Sequence, residues 1–134
     1  LQTAYDVHDA PADVEGFIAA QSDLRRLLEK DKTSRYLLTV LPVVMMRAEM
    51  QQEAVALTEQ WISSQPTCAT AYLARGRLLG WMQRFADAVE TFSRGIYVAR
   101  ASNSNETEAV LLDDRATAYS YMERYEEAIR DYES

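Results

Sequence analysis

The side chains best suited to chemistry are few and scattered. His8 is the only histidine and Cys68 the only cysteine. Cys68 follows Thr67 at an expected helix start, a position where reactive thiols can occur. No second histidine exists to activate it, so it reads as a small half-buried residue. His8 lies among terminal residues of the kind that fray, and reads as a solvated side chain. Asp113-Asp114 is the tightest carboxylate pair near a functional face. Adjacent helix positions do not face each other, so the pair makes a poor metal site. No glycine-rich loop could cradle a phosphate. Asn105-Glu106-Thr107 has the form of a glycosylation acceptor, with no secretory signal to go with it. The chain therefore reads as non-enzymatic, with no catalytic set, no metal and no cofactor.

The elements that would position any site are helical. Four Gly and three Pro are too few for the turns of an all-β sandwich or barrel. With 134 residues, 48% hydrophobic and 26% charged, the chain can bury one real core. Its net charge of −7 would repel nucleic acid and an anionic membrane surface, and suits a basic or neutral protein partner. The longest apolar run, Leu37–Met46, is interrupted by Thr39 and Pro42 and falls short of a membrane span. One cysteine rules out an intrachain disulfide and favours a reducing, cytoplasmic setting. The chain begins at Leu1 and stops inside a helical pattern at Tyr132-Glu133-Ser134, which reads as a segment of a longer protein.

Apolar and small residues recur in steps of three and four: Tyr72, Gly76, Leu79, then Phe85, Ala88, Phe92, Ile96. The stripe changes face near Gly80 to Gln83, which predicts two helices and a tight turn. The same pattern returns 40 residues later as Tyr125, Ala128, Tyr132, with Arg75-Gly76 matching Arg115-Ala116 and Leu79 matching Tyr119. Stepping back from Ala88 by 34 gives Ala54, and by 34 again Ala20. Such a period marks a stacked helical repeat. Gly76, Ala88, Ala116 and Ala128 are expected where helices cross closely. Phe85, Phe92, Tyr125 and Tyr132 are expected to fill the gaps between helices. Pro42 should kink its helix or delay its start, and Pro11 should open a helix running to about Glu29. The stretch from Ala101 to Glu106 accounts for the spacing of 40, as a polar mobile loop or a helix extension.

These residues resemble the tetratricopeptide repeat, whose pattern asks for a large apolar residue, Leu-Gly and Tyr in one helix, then Ala and an aromatic in the next. Residues 69–98 and 109–134 carry it, with Arg75 and Arg115 standing where Leu is usual. The resemblance implies an all-α, right-handed superhelix of antiparallel helix pairs, about seven helices, in one domain. Its parts are a degenerate repeat over 1–34, a weaker one over 35–68, one with a long loop over 69–108, and a truncated one over 109–134. It also implies that the first helix of each pair lines a concave groove. Mapped onto this chain, that face holds Tyr36, Thr39, Val43, Met46 and Arg47, then Thr70, Leu73, Arg77 and Trp81, then Val110, Asp113, Asp114, Thr117 and Tyr121. A peptide or partner protein is the implied ligand. The repeat layout is similar to that of J-domain proteins with such repeats, which implies a co-chaperone. The alternative is a structural segment of a larger enzyme or assembly. The clamp by which some relatives grip acidic heat-shock chaperone tails is not matched: its positions hold Leu73, Arg77 and Asp114, and Asp114 would repel a carboxylate.

Overall fold

The computed structural model describes residues 13–134. His8, Pro11 and the start of the degenerate repeat lie outside them. Seven α-helices follow in order: α1 Val14–Lys30, α2 Arg35–Arg47, α3 Gln51–Ser64, α4 Ala69–Trp81, α5 Phe85–Ala101, α6 Asn105–Tyr121 and α7 Tyr125–Glu133. No strand occurs among the described residues.

Local signals set the ends. Asp13 caps α1, its carboxylate accepting the Gly16 N–H at 3.0 Å, and Ser34 Oγ accepts the Leu37 N–H at 3.3 Å at the head of α2. Four helices leave through a common turn, with a residue of left-handed backbone just past the helix: Glu49, Gln83, Asn103 and Glu123, with φ of 62°, 62°, 56° and 61°. The N–H that follows each then reaches back five residues, for example Met50 to Met45 O at 2.8 Å and Arg84 to Leu79 O at 2.9 Å. Those bonds satisfy carbonyls the helix end would leave bare. The turn between α3 and α4 is held differently, by Tyr72 Oη donating to Pro66 O at 2.8 Å.

Pro42 does not delay α2, which starts at Arg35 and runs through it, and Pro42 is buried there. The stretch after Ala101 is helix extension on both sides: α5 and α6 each have 17 residues, and only Ser102 to Ser104 lie between them.

Each helix packs on the next, and α2 also meets α4, as α4 meets α6. Among the described residues α3 does not approach α5, nor α5 approach α7. A stack whose even helices touch while its odd helices stand apart must curve, with α2, α4 and α6 on the inner side. The close approaches come from small residues: Ala54, Ala88 and Ala116 are fully buried and Ala128 nearly so. A Cβ added at Gly76 would strike the Phe92 ring, and one at Gly95 would lie 2.7 Å from Tyr72 Cβ. Phe92 is completely buried among Leu79, Ala88, Ile96 and Leu111, a burial that stabilises by about 1.5–3 kcal/mol. Phe85 is half-buried, but Tyr125 and Tyr132 are more than half exposed. The expected gap-filling role therefore fails for those two tyrosines, because no helix among the described residues packs on that side of α7.

Candidate partner-binding groove

The inner row positions the site. Side chains of α2 and α4, with Asp114 of α6, enclose a pocket of about 290 Å³. Thr39, Pro42 and Val43 come from α2, and Thr70, Leu73, Ala74, Arg77, Leu78 and Trp81 from α4. Of the groove residues expected from the sequence, Thr39, Val43, Thr70, Leu73, Arg77, Trp81 and Asp114 meet here. Met46 and Arg47 line a shallow extension with Val43 and Trp81.

The other expected residues do not join them. Tyr36 stands 66% exposed on α2. Asp113 turns toward a separate hollow with Asn105, Glu108, Asp131 and Tyr132. Thr117 donates its hydroxyl to Asp113 O at 3.1 Å. Tyr121 stacks on Phe85 of α5, ring centroids 5.1 Å apart and 12° from parallel, so one ring face is already occupied. Arg47, in the shallow extension, also lies over the Phe17 ring, 5.8 Å from its centroid.

One ion pair governs the electrostatics. Arg77 Nε donates to Asp114 Oδ2 at 2.5 Å, joining α4 to α6. Burial pushes the Asp114 carboxyl above the usual aspartate range, against the lowering pull of the Arg77 hydrogen bond and charge, and neighbouring Asp113 adds to the rise. Arg77 is thus not a bare cation, and the two charges at the pocket cancel. Sequence reasoning named both residues but not their bond. The signal lay in their separation of 37, close to one repeat, which puts opposite charges on adjacent inner helices. Pro42, Ala74 and Leu78 were missed as lining residues, though each lies next to or four from a named one.

A second polar strut was not anticipated. Arg115 makes a forked bond to Asp131, Nε to Oδ2 at 2.7 Å and Nη2 to Oδ1 at 2.6 Å, and donates from Nη1 to Ser93 Oγ at 3.0 Å. Asp131 is only 6% exposed, and the Arg115 guanidinium that it holds ties α6 to both α7 and α5. The Asp131 hydrogen bond raises the Arg115 pKa, against the effect of burial. Arg75, at the matching position, instead reaches back to Glu59 at 3.1 Å. The departures from the repeat pattern at Arg75 and Arg115 are therefore both inter-helix ties.

Among the described residues no group of three His, Cys, Asp or Glu could hold a metal ion. Cys68 sits half-buried at the head of α4, packed on the Trp61 cluster. No helix among the described residues is long and apolar enough to cross a membrane.

No protein-family profile matches the chain, and no curated protein matches it at a significant level. Solved structures do. A crystal structure of MamA superposes with a TM-score of 0.65 at 20% identity, over 99% of this chain and 73% of that one. MamA MSR-1 gives 0.64 at 19% identity, over 88% of this chain and 64% of that one. A MamA RS-1 double mutant gives 0.65 at 12% identity, over 96% and 69%. The chain thus spans roughly two thirds of the length of these MamA structures. At such identities the likeness is one of architecture, and the architecture is an all-helical, tetratricopeptide-like repeat stack.

Proposed function

We propose that this chain is a protein-interaction scaffold that holds a segment of a partner protein in the groove of α2, α4 and α6, and that it catalyses nothing itself. One observation carries the reading: Val43, Leu73, Arg77, Trp81 and Asp114, from three successive inner helices, converge on one pocket. A mostly apolar hollow with a few placed polar groups is what a peptide anchor needs. The pairs α2–α3, α4–α5 and α6–α7 are read as successive repeats of one domain. A net charge of −7 favours a protein partner over nucleic acid. Service within a co-chaperone is a narrower version of this reading and rests on the repeat layout alone.

The test is a paired variant. Replacing Arg77 and Trp81 by alanine should leave helical circular dichroism intact while reducing partner capture from lysate, quantified protein by protein, by about tenfold or more. An unchanged set of captured proteins from a folded double variant would refute the groove as the binding face.

A second reading has one observation in its favour. Tyr125, Ile129 and Tyr132 form an apolar stripe on α7, each more than half exposed. That stripe suits a structural segment packed into a larger assembly, with no free groove ligand. In that case Leu73 and Trp81 would be covered in the assembled state, and protection of Trp81 from solvent quenchers in the assembly would show it.

A further inference from the structure

We propose that the groove pocket accepts one large uncharged side chain, aliphatic or aromatic, from the partner segment, and that the Arg77–Asp114 pair denies it to charged anchors. The inference rests on the groove reading above and adds the chemistry of the occupant. The walls are Val43, Leu73, Leu78 and Trp81, closed by Pro42 and Ala74. A volume of about 290 Å³ lies at the small end for ligand sites, which suits one anchor side chain and little more.

Charge decides the rest. The only ionised groups lining the pocket are Arg77 and Asp114, bonded to each other at 2.5 Å. Arg77 is bonded to Asp114 through Nε alone, so an acidic anchor at its other N–H groups would sit beside the Asp114 carboxylate, whose charge opposes it. A cationic anchor at Asp114 Oδ1 would sit beside the Arg77 guanidinium and meet the same opposition. Either one gives up its hydration for a site whose two charges already cancel. An apolar anchor leaves the pair intact and removes apolar surface from water on both sides. The occupant is therefore a segment of another protein presenting Leu, Met, Phe or Trp, and not an acidic tail.

Side-chain mimics test this without knowledge of the partner. Isotope-labelled protein is titrated with indole, p-cresol, glutarate and methylguanidine, and the Trp81 indole N–H resonance, assigned by its loss in Trp81→Phe, is followed by NMR. Indole and p-cresol should shift it saturably, while glutarate and methylguanidine at equal concentration should not. Asp114→Asn releases Arg77 from its counter-charge, so that variant should gain a glutarate response about tenfold stronger than wild type. Arg77→Gln, run in parallel with a circular dichroism check, should keep the indole response and show none to glutarate. A wild-type response to glutarate equal to that for indole overturns the anchor chemistry and leaves the groove standing. Loss of the indole response in folded Arg77→Gln overturns it too. Silence toward all four probes, together with partner capture unaffected by Trp81→Ala, overturns both.

Discussion

Gly76→Ala is a single added methyl whose effect separates two opposing terms. Alanine is the better helix former, by about 0.8–1 kcal/mol in a helix interior. Gly76 lies within α4, so that gain should be available. Against it stands the Phe92 ring: the new Cβ would lie 2.7 Å from Cζ and closer still to Cδ1 and Cε1. The ring is fully buried and packed with Ala88 and Leu111, so it has nowhere to retreat. Overpacking of this kind costs about 1–3 kcal/mol, and a rigid neighbour puts the cost toward the upper end. The net expectation is destabilisation by about 1–2 kcal/mol, or a fall in Tm of about 3–8 °C for a chain of this size. Thermal melts followed by circular dichroism, with urea midpoints as a check, measure it. The decisive control is a double-mutant cycle with Phe92→Leu. In that background the clash is relieved, and Gly76→Ala should become neutral or stabilising by up to about 1 kcal/mol. A Tm that rises with Gly76→Ala alone, or a cycle with no coupling, would refute the claim that the α4–α5 crossing is set by this contact.

Three further outcomes are expected. Glu123→Gly, at a left-handed position, should stabilise by about 0.5–1 kcal/mol, and Asn103→Gly by less, because asparagine already tolerates that backbone; equal or negative changes in urea midpoint would count against the turn geometry. The Asp114 carboxyl has a folded pKa raised above its ordinary value, so its protonated form is favoured by folding, and its contribution is lost as pH rises through that window. Wild type should therefore gain stability relative to Asp114→Asn as pH falls through the acidic range toward the ordinary aspartate pKa, and a difference in urea midpoints that moves the other way would contradict the assignment. Arg115→Met would leave the buried Asp131 carboxylate without its partner, a change that costs about 3–5 kcal/mol in a closed core. Because the Arg115–Asp131 fork joins α6 to α7, the loss should appear first as faster amide hydrogen exchange in α7, with α4 protection nearly unchanged.

Much of the architecture was legible in the spacing of small residues. Gly76, Ala88, Ala116 and Ala128 recur at helix crossings because only small side chains allow the approach, and that constraint writes itself into sequence. The groove was legible to the extent that one helix face converges, as it does for Leu73, Arg77 and Trp81. It was not legible where a side chain had a better partner elsewhere. Tyr121 stacks on Phe85, and Arg77 pairs with Asp114; both contacts depend on three-dimensional register that a linear pattern does not carry. The exposure of Tyr125 and Tyr132 shows the same limit from the other side. A repeat position encodes an aromatic, while its burial depends on whether a neighbouring helix is present to cover it.

The unequal helix lengths give the stack a direction. At 17 residues against 13 in α4, the arms of the α5–α6 hairpin are about 6 Å longer than their counterpart, so this corner stands proud as a lug. The edge is thereby given one position unlike its neighbours, the step between the α3–α4 bend and the α5–α6 corner.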